Sequence, residues 1–145
     1  MKYQNFKLCL THICQDKASV GSCISIVLGS HPKISIADSF ERACDPPNKI
    51  RFIIFPVKIY GNKIQHLNVL ILDRKSKVIT RYEPFKNFTF PTIDHLIETL
   101  LYKLLNQHKI YFLKFEKSIK YEQTDDCKNC SIYCLQYVKN LIKSI

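Results

Sequence analysis

The sequence predicts an α+β domain in which helices pack against a small, mostly antiparallel or mixed sheet. Apolar, β-branched segments between polar turns predict three consecutive strands in the middle of the chain. Two later segments repeat apolar residues at three- and four-residue steps, which predicts amphipathic helices over residues 92–107 and 130–145. The predicted order, a mixed front part followed by strand, strand, strand, helix, strand and helix, fits this class.

The length and composition indicate one domain over residues 1–145. Of the 145 residues, 46% are hydrophobic, which is enough to build a core. The chain has no apolar run long enough to span a membrane, and its N-terminus lacks the apolar region and cleavage site of a signal peptide. We therefore expect no membrane association.

The cysteine count indicates the redox compartment of the protein, and the charge indicates which partners its surface could attract. Seven cysteines are an odd number without a secretory context, so most of them are expected to be reduced in the cytosol or nucleus. The net charge is +10, with lysines spread along the whole chain. A solvated, lysine-rich surface is the simpler interpretation, and a surface that attracts nucleic acid or acidic substrates is the alternative.

The front part, residues 1–49, gives the weakest signals. A set of apolar residues near the N-terminus fits either a short helix or a short strand: Phe6, Leu8, Leu10 and Ile13. Residues 21–29 fit either a strand or a buried helix. His12 lies between Cys9 and Cys14, but no second pair of ligands is near, so we predict free, buried or half-buried cysteines instead of a metal site.

The three central strands are predicted over residues 51–60, 64–73 and 78–83. Pro56 lies inside the first of them and predicts an edge strand or a bulge, because proline cannot donate to a sheet ladder. The second and third strands are joined by a short polar turn and form a hairpin.

This hairpin brings two polar residues together. His66 lies near the start of one strand, and Glu83 lies at the end of its antiparallel partner. Because antiparallel partners run in opposite directions, the two residues are predicted to lie at the same end of the hairpin.

The last third of the chain contains the predicted helices. The first, over residues 92–107, is expected to turn His95 and Glu98 towards solvent. A strand over residues 109–115 and a polar loop over residues 117–126 are predicted to follow it.

The final helix is predicted to place a cysteine in its first turn. Asn129 is a suitable N-cap for this helix, and Cys130 follows it directly. The unpaired amides and the positive end of the helix dipole favour a thiolate over a thiol at Cys130, and the thiolate is the nucleophilic form.

The candidate residues for nucleophilic catalysis come in the order His66, Glu83, Gln123 and Cys130, with Cys130 as the nucleophile. His66 is the candidate general base and then general acid, and Glu83 would accept a hydrogen bond from the far ring nitrogen. The side-chain amide of Gln123 and the backbone N–H of Cys130 would bind the oxyanion of a tetrahedral intermediate.

These residues resemble the adenovirus proteinase and the ubiquitin-like-protein-specific (SUMO) proteases, which have a papain-like fold. The block from His66 through an apolar strand and an Arg-Lys-Ser-Lys turn to Glu83-Pro-Phe is similar to the block in the viral enzyme. The spacing of Gln123 and Cys130, and Cys130-Ser-Ile-Tyr-Cys-Leu at the helix start, are similar as well. The resemblance covers residues 51–145, and residues 1–50 are poorly matched.

The resemblance implies a minimal cysteine peptidase from a large DNA virus that cleaves peptide or isopeptide bonds. Viral precursors or conjugates of ubiquitin-like modifiers would be its protein substrates. The resemblance implies no required cofactor, although DNA or a peptide would act as an activator and the basic surface would contact nucleic acid. We expect a monomer. Its expected location is the host cytoplasm or nucleus, with packaging in the virion as a further possibility that the resemblance implies.

Two residues depart from the family pattern. Leu67 replaces the usual aromatic residue after the histidine, and Ser131 replaces the usual glycine after the nucleophile. The alternative function is therefore a catalytically inactive protease-fold protein that binds a protein partner or nucleic acid. If the site is only weakened, restoring tryptophan and glycine at these positions is expected to raise activity.

The cysteines around Cys130 allow other chemistry. Cys127, Cys130 and Cys134 could contribute to a zinc site or to thiol–disulfide exchange. Zinc would need a fourth ligand from elsewhere in the chain, such as His12 or Cys9, so we do not expect a metal. A regulatory disulfide between Cys127 and Cys130, which would block the nucleophile, stays open.

Overall fold

The computed structural model of the chain describes residues 3–31, 33–36, 50–61, 64–84, 91–107, 113–117 and 130–145. Its helices are α1 (Tyr3–Cys14), α2 (Pro91–Gln107) and α3 (Cys130–Lys143). Its strands are β1 (Ala18–Val20), β2 (Ile24–Val27), β3 (Lys33–Ile36), β4 (Phe52–Gly61), β5 (Ile64–Asp73), β6 (Val78–Tyr82) and β7 (Lys114–Lys117).

The strands form one mixed sheet in the order β3-β2-β4-β5-β6-β7, and β1 also pairs with β4. Pairs β2–β3, β4–β5 and β5–β6 are antiparallel. Pairs β1–β4, β2–β4 and β6–β7 are parallel. The predicted α+β class, with a mixed sheet, packed helices and a β5–β6 hairpin, is confirmed.

β4 is a central strand, so the prediction that Pro56 marks an edge or a bulge is wrong. On one side β4 pairs with β5 along its whole length, with Pro56 opposite Val69. On the other side β1 pairs with residues 52–54 and β2 pairs with residues 57–60. Pro56 lies between these two short strands and pairs with neither of them, so proline is tolerated although β4 is central.

The sheet buries an apolar core on each face, because alternate side chains of a strand point to opposite faces. One face carries Leu70, Leu72 and Ile79 and packs against Ile97 of α2. The opposite face packs against α1 and α3, which place their apolar stripes over it. Residues on this second face include Ile54, Leu67, Val69, Ile71, Tyr82, Cys134 and Val138.

The front part resolves the alternatives that its sequence left open. Residues 3–14 form a helix, and residues 24–27 form a strand. Cys9 is half-buried and Cys14 is buried, and neither is in a disulfide, which confirms the prediction for these two residues. α1 ends at Cys14, and the next residue, Gln15, has a positive φ of 50°.

The C-terminal elements follow the predicted pattern where the structure describes them. His95 and Glu98 on α2 are exposed, as predicted. β7 lies over Lys114–Lys117, later than the predicted strand over residues 109–115, whose first four residues are outside the described part of the chain. The predicted loop likewise lies outside it beyond Lys117. None of the helices that the structure describes is sufficiently long and apolar to traverse a membrane.

Candidate active site

The end of the β5–β6 hairpin carries a cluster of buried polar side chains. Val69 pairs with Tyr82, so continuing the register places Asn68 opposite Glu83 and places His66 diagonally from it. Arg81 lies two residues before Glu83 and therefore shares its face of the sheet. Four polar residues of this face are fully buried: His66, Asn68, Arg81 and Glu83.

His66 and Glu83 are in direct contact. The Nε2 atom of His66 lies 2.5 Å from Oε2 of Glu83, and both side chains are inaccessible to solvent. A short contact between a buried imidazole and a buried carboxylate fixes the orientation of the ring. The structure therefore brings together the two residues that the sequence placed at one end of the hairpin.

Cys130 begins α3 and reaches the same region from the opposite face of the sheet. Its Sγ accepts a hydrogen bond from the backbone N–H of Leu67 at 3.5 Å. One turn later, Sγ of Cys134 donates to the backbone oxygen of Leu67 at 3.7 Å. Leu67 lies beyond the last β5–β6 pair. The two thiols therefore bond to a backbone N–H and a backbone C=O of β5 at a position where β6 no longer pairs with it.

The electrostatic balance around His66 favours its charged form. Burial by itself lowers the pKa of the imidazolium. Hydrogen bonding of His66 with Cys130 and with Glu83, together with the charges of both groups, outweighs that effect and raises the pKa of His66 to about 9. His66 is therefore expected to be protonated at neutral pH.

Other buried thiols differ from Cys130 in their surroundings. Burial raises the pKa of Cys14 to about 11. Burial, with the nearby charges of Glu83 and Cys130, raises the pKa of the Cys134 thiol well above its ordinary value. Both groups are therefore expected to stay protonated and unreactive at neutral pH.

Glu83 has two further partners that the sequence analysis missed. Asn68 Nδ2 donates to its Oε1 at 2.8 Å, and Arg81 Nη1 donates to the same oxygen at 3.2 Å. The signal that could have found them is the two-residue period of a strand. Asn68 follows His66 by two residues and Arg81 precedes Glu83 by two, so each shares a face with its neighbour.

Several residues that the sequence singled out lie outside the described part of the chain. They are Gln123, Cys127 and Asn129. Leu67 and Ser131 are described and are only 4% and 2% exposed, respectively. Within the described ranges there is no group of three metal-ligating side chains, and the five cysteines there are all free thiols.

The chain is similar in sequence to a viral protein. No protein-family model matches the chain. The chain is 38% identical over 107 residues to uncharacterized protein 082L of Invertebrate iridescent virus 3. The aligned part covers 74% of this chain and 63% of the viral protein, so the chain spans less than two thirds of that relative. The similarity supports the viral origin that the resemblance implied.

Comparison with solved structures identifies the fold. The Ulp1 protease domain in complex with Smt3, the yeast ortholog of SUMO, matches with a TM-score of 0.54 and 18% identity over 72% of this chain and 47% of that one. A de-sumoylating protease matches with a TM-score of 0.52 and 10% identity, over 95% and 59%. ChlaDub1 of Chlamydia trachomatis matches with a TM-score of 0.50 and 10% identity, over 66% and 49%.

These matches define the class of fold. The chain has the fold of the SUMO-protease-like cysteine peptidases, which confirms the resemblance drawn from its motifs. It spans about half of the Ulp1 and ChlaDub1 structures and somewhat more of the de-sumoylating protease.

Proposed function

We propose that the chain is a cysteine peptidase that cleaves peptide or isopeptide bonds in protein substrates. Cys130 is the nucleophile, His66 exchanges the proton, and Glu83 orients the imidazole. Gln123, with the backbone N–H of Cys130, binds the oxyanion. The observation that carries this proposal is the buried contact of His66 with Glu83. Cys130 and Glu83 together raise the pKa of His66 to about 9 against the effect of burial.

The first half of the proposed reaction forms an acyl-enzyme. Because Glu83 holds Nε2 of His66, proton exchange with the sulfur is assigned to Nδ1. The Cys130 thiolate forms a bond to the substrate carbonyl carbon, and the C=O electron pair moves onto the oxygen. When the intermediate collapses, the C–N bond breaks and the His66 imidazolium gives its proton to the leaving amine.

The second half releases the product. Water attacks the thioester carbon and gives a proton to neutral His66. The C–S bond then breaks, which leaves a carboxylic acid product and the Cys130 thiolate beside the His66 imidazolium. Each turnover consumes one water and needs no metal or redox partner.

The substrate class is proposed from the structural neighbours. One of them is a Ulp1 domain bound to Smt3, and another is a de-sumoylating protease. We therefore propose conjugates of ubiquitin-like modifiers as substrates, with viral precursor proteins as the second candidate. The predictions of nucleic-acid or peptide activation, of a monomer, and of location in the host cytoplasm, nucleus or virion stay predictions.

The experiment is to alkylate the reduced protein with iodoacetamide from about pH 4 to about pH 9. The modified cysteine is identified by mass spectrometry, with Cys130→Ala and His66→Ala alongside. We expect rapid modification of one cysteine below about pH 7, lost in the first variant and slowed in the second. Ubiquitin and SUMO that carry a C-terminal electrophile then test for capture of a modifier by Cys130.

The opposite result is equally informative. Reactivity that rises only near an ordinary thiol pKa of about 8.5, and that ignores His66→Ala, would contradict the proposed mechanism. It would favour the inactive, partner-binding alternative. Cys14→Ala is a matched control, because burial raises the pKa of that thiol to about 11 and its removal should leave the low-pH reaction unchanged.

A further inference from the structure

Glu83 binds more donors than an orienting carboxylate requires. Its Oε2 accepts from His66, and its Oε1 accepts from Asn68 at 2.8 Å and from Arg81 at 3.2 Å. All four residues are fully buried. A buried guanidinium is costly to remove from water, so its contact with the carboxylate needs an explanation beyond the hydrogen bond itself.

The charges of these groups give that explanation. Arg81 carries one positive charge and Glu83 one negative charge, so the pair is neutral as a unit. The remaining two groups, His66 and Cys130, are then also neutral as a unit, both as imidazole with thiol and as imidazolium with thiolate. The proton can move between them without leaving net charge in a buried site.

Removal of Arg81 would change this balance. The Glu83 carboxylate would then lose the positive charge that contacts its Oε1, while His66 stays on its Oε2. A thiolate at Cys130 would give the site a net negative charge, which burial disfavours. His66 could still be protonated, but its charge would offset Glu83 instead of Cys130.

We propose that Arg81, assisted by Asn68, is a positioning residue that neutralises Glu83 and so reserves the His66 imidazolium as the counter-ion of the Cys130 thiolate. Asn68 directs Oε1 of Glu83 away from the imidazole, while Oε2 holds the ring. This inference rests on the proposed function, because it concerns the protonation state from which the nucleophile acts.

In the described part of the chain, the titratable groups that act on His66 are Glu83, just after β6, and Cys130, at the start of α3. Arg81 of β6 contacts Glu83, and Cys134 lies one turn after Cys130. Cys134 stays protonated, since burial raises its pKa well above the ordinary value. Arg81 is therefore the permanent positive charge in this set, and a change at Arg81 tests the inference directly.

The experiment measures the pH profile of Cys130 alkylation in Arg81→Met, Arg81→Lys and Ile79→Ala. Ile79 is the matched control, because it is a buried residue of β6 on the same face and contacts the apolar core. We expect Arg81→Met to slow alkylation at about pH 6 by about tenfold or more, which corresponds to one pKa unit. Arg81→Lys should recover part of this loss, and Ile79→Ala should keep the original profile.

The outcomes separate this inference from the proposed function. An acid-shifted profile in the unsubstituted protein that stays the same in Arg81→Met would overturn the inference and leave the proposed function intact. An ordinary thiol profile in the unsubstituted protein would remove the proposed function, and the inference with it. If Arg81→Met and Ile79→Ala slow Cys130 alkylation equally, Arg81 has only a structural role and the inference fails.

Stability measurements cover the case in which Arg81→Met folds poorly. Glu83→Gln removes the carboxylate charge that contacts the buried Arg81 guanidinium, and the double variant with Arg81→Met removes both charges. We expect the double variant to require more urea for unfolding than Glu83→Gln alone. If Glu83→Gln is at least as stable as the double variant, Arg81 does not depend on the Glu83 charge and the inference fails.

Discussion

The backbone N–H of Leu67 donates to the sulfur of Cys130 at 3.5 Å, across a sequence separation of 63 residues. The carbonyl of the same residue accepts from Cys134 at 3.7 Å. One peptide segment of β5 therefore holds two successive turns of α3. Since His66 precedes Leu67 directly, any shift of α3 along this edge would change the approach of the sulfur to the imidazole.

We expect Cys134→Ala to weaken both the fold and the site. The carbonyl of Leu67 would lose its buried donor, which costs about 1 to 3 kcal/mol. The free energy of unfolding in urea measures this cost, and the Cys130 alkylation rate should fall with it. Cys14→Ala is the control, because it removes a buried thiol from α1 and leaves the Leu67 contacts in place. Equal stability and alkylation rates in the two variants would contradict the prediction.

Leu67→Trp is expected to destabilise the protein. Leu67 is only 4% exposed and packs in the core between the sheet and the helices α1 and α3. A larger ring there would overpack this core, at a cost of about 1 to 3 kcal/mol. Thermal unfolding measures the effect, with Leu67→Met as the volume-matched control. A rise in melting temperature would show that the core has room for the aromatic residue that the family carries.

The titration of His66 predicts a pH dependence of stability. Contacts with Cys130 and Glu83 raise the pKa of His66 from 6.5 to about 9 in the folded protein. The folded state therefore binds a proton that the unfolded state releases between these values. The resulting stabilisation is complete below about pH 6.5 and is lost as the pH rises through about 9.

Urea unfolding between these pH values checks this sign. We expect the free energy of unfolding to fall as the pH rises, with a weaker slope in His66→Gln. His95→Gln changes an exposed histidine of α2 and should keep the original slope. A stability that rises with pH in the unsubstituted protein would contradict the charged state assigned to His66.

Gln15→Gly is expected to stabilise the end of α1. Gln15 has a φ of 50°, a conformation in which the Cβ atom is strained and glycine is not. Its N–H still bonds the carbonyl of Thr11 at 3.0 Å, so the substitution keeps this backbone contact. We expect a gain of about 0.5 to 1 kcal/mol in the free energy of unfolding.

Glycine at an ordinary helical position provides the contrast. Lys139 is an exposed residue within α3, and Lys139→Gly should cost about 1 kcal/mol. The same measurement therefore gives opposite signs at the two positions. If Gln15→Gly is also destabilising, the loss of chain entropy outweighs the relief of strain.

The sequence was sufficient for those parts of the site that depend on local pattern. The contact of His66 with Glu83 follows from a hairpin whose two strands are recognisable as apolar, β-branched segments between polar turns. The start of α3 at Cys130 follows from the helical repeat after residue 129. The fold class followed from the order of these elements.

The parts that the sequence did not reveal depend on what lies next to each residue in three dimensions. Pro56 looked like an edge signal because the sequence could not show that β1 and β2 share one side of β4. Arg81 was not singled out, because an arginine gives no sign of burial until its carboxylate partner is placed. The contacts of Leu67 with the thiols likewise require the docking of α3 onto the sheet edge.

The order in which the site is assembled follows from the placement of its parts. His66 and Glu83 are 17 residues apart on one hairpin, whereas Cys130 joins them across 63 residues from Leu67. Short-range contacts close with less loss of chain entropy than long-range ones. We therefore expect the hairpin to form first and the sulfur to reach the imidazole only when α3 docks. In a nascent or partly unfolded chain, Cys130 would then lack the contacts with Leu67 and His66 that the docked helix provides. Pulse alkylation during refolding would test this, and acid-shifted reactivity that precedes α3 protection in hydrogen exchange would refute it.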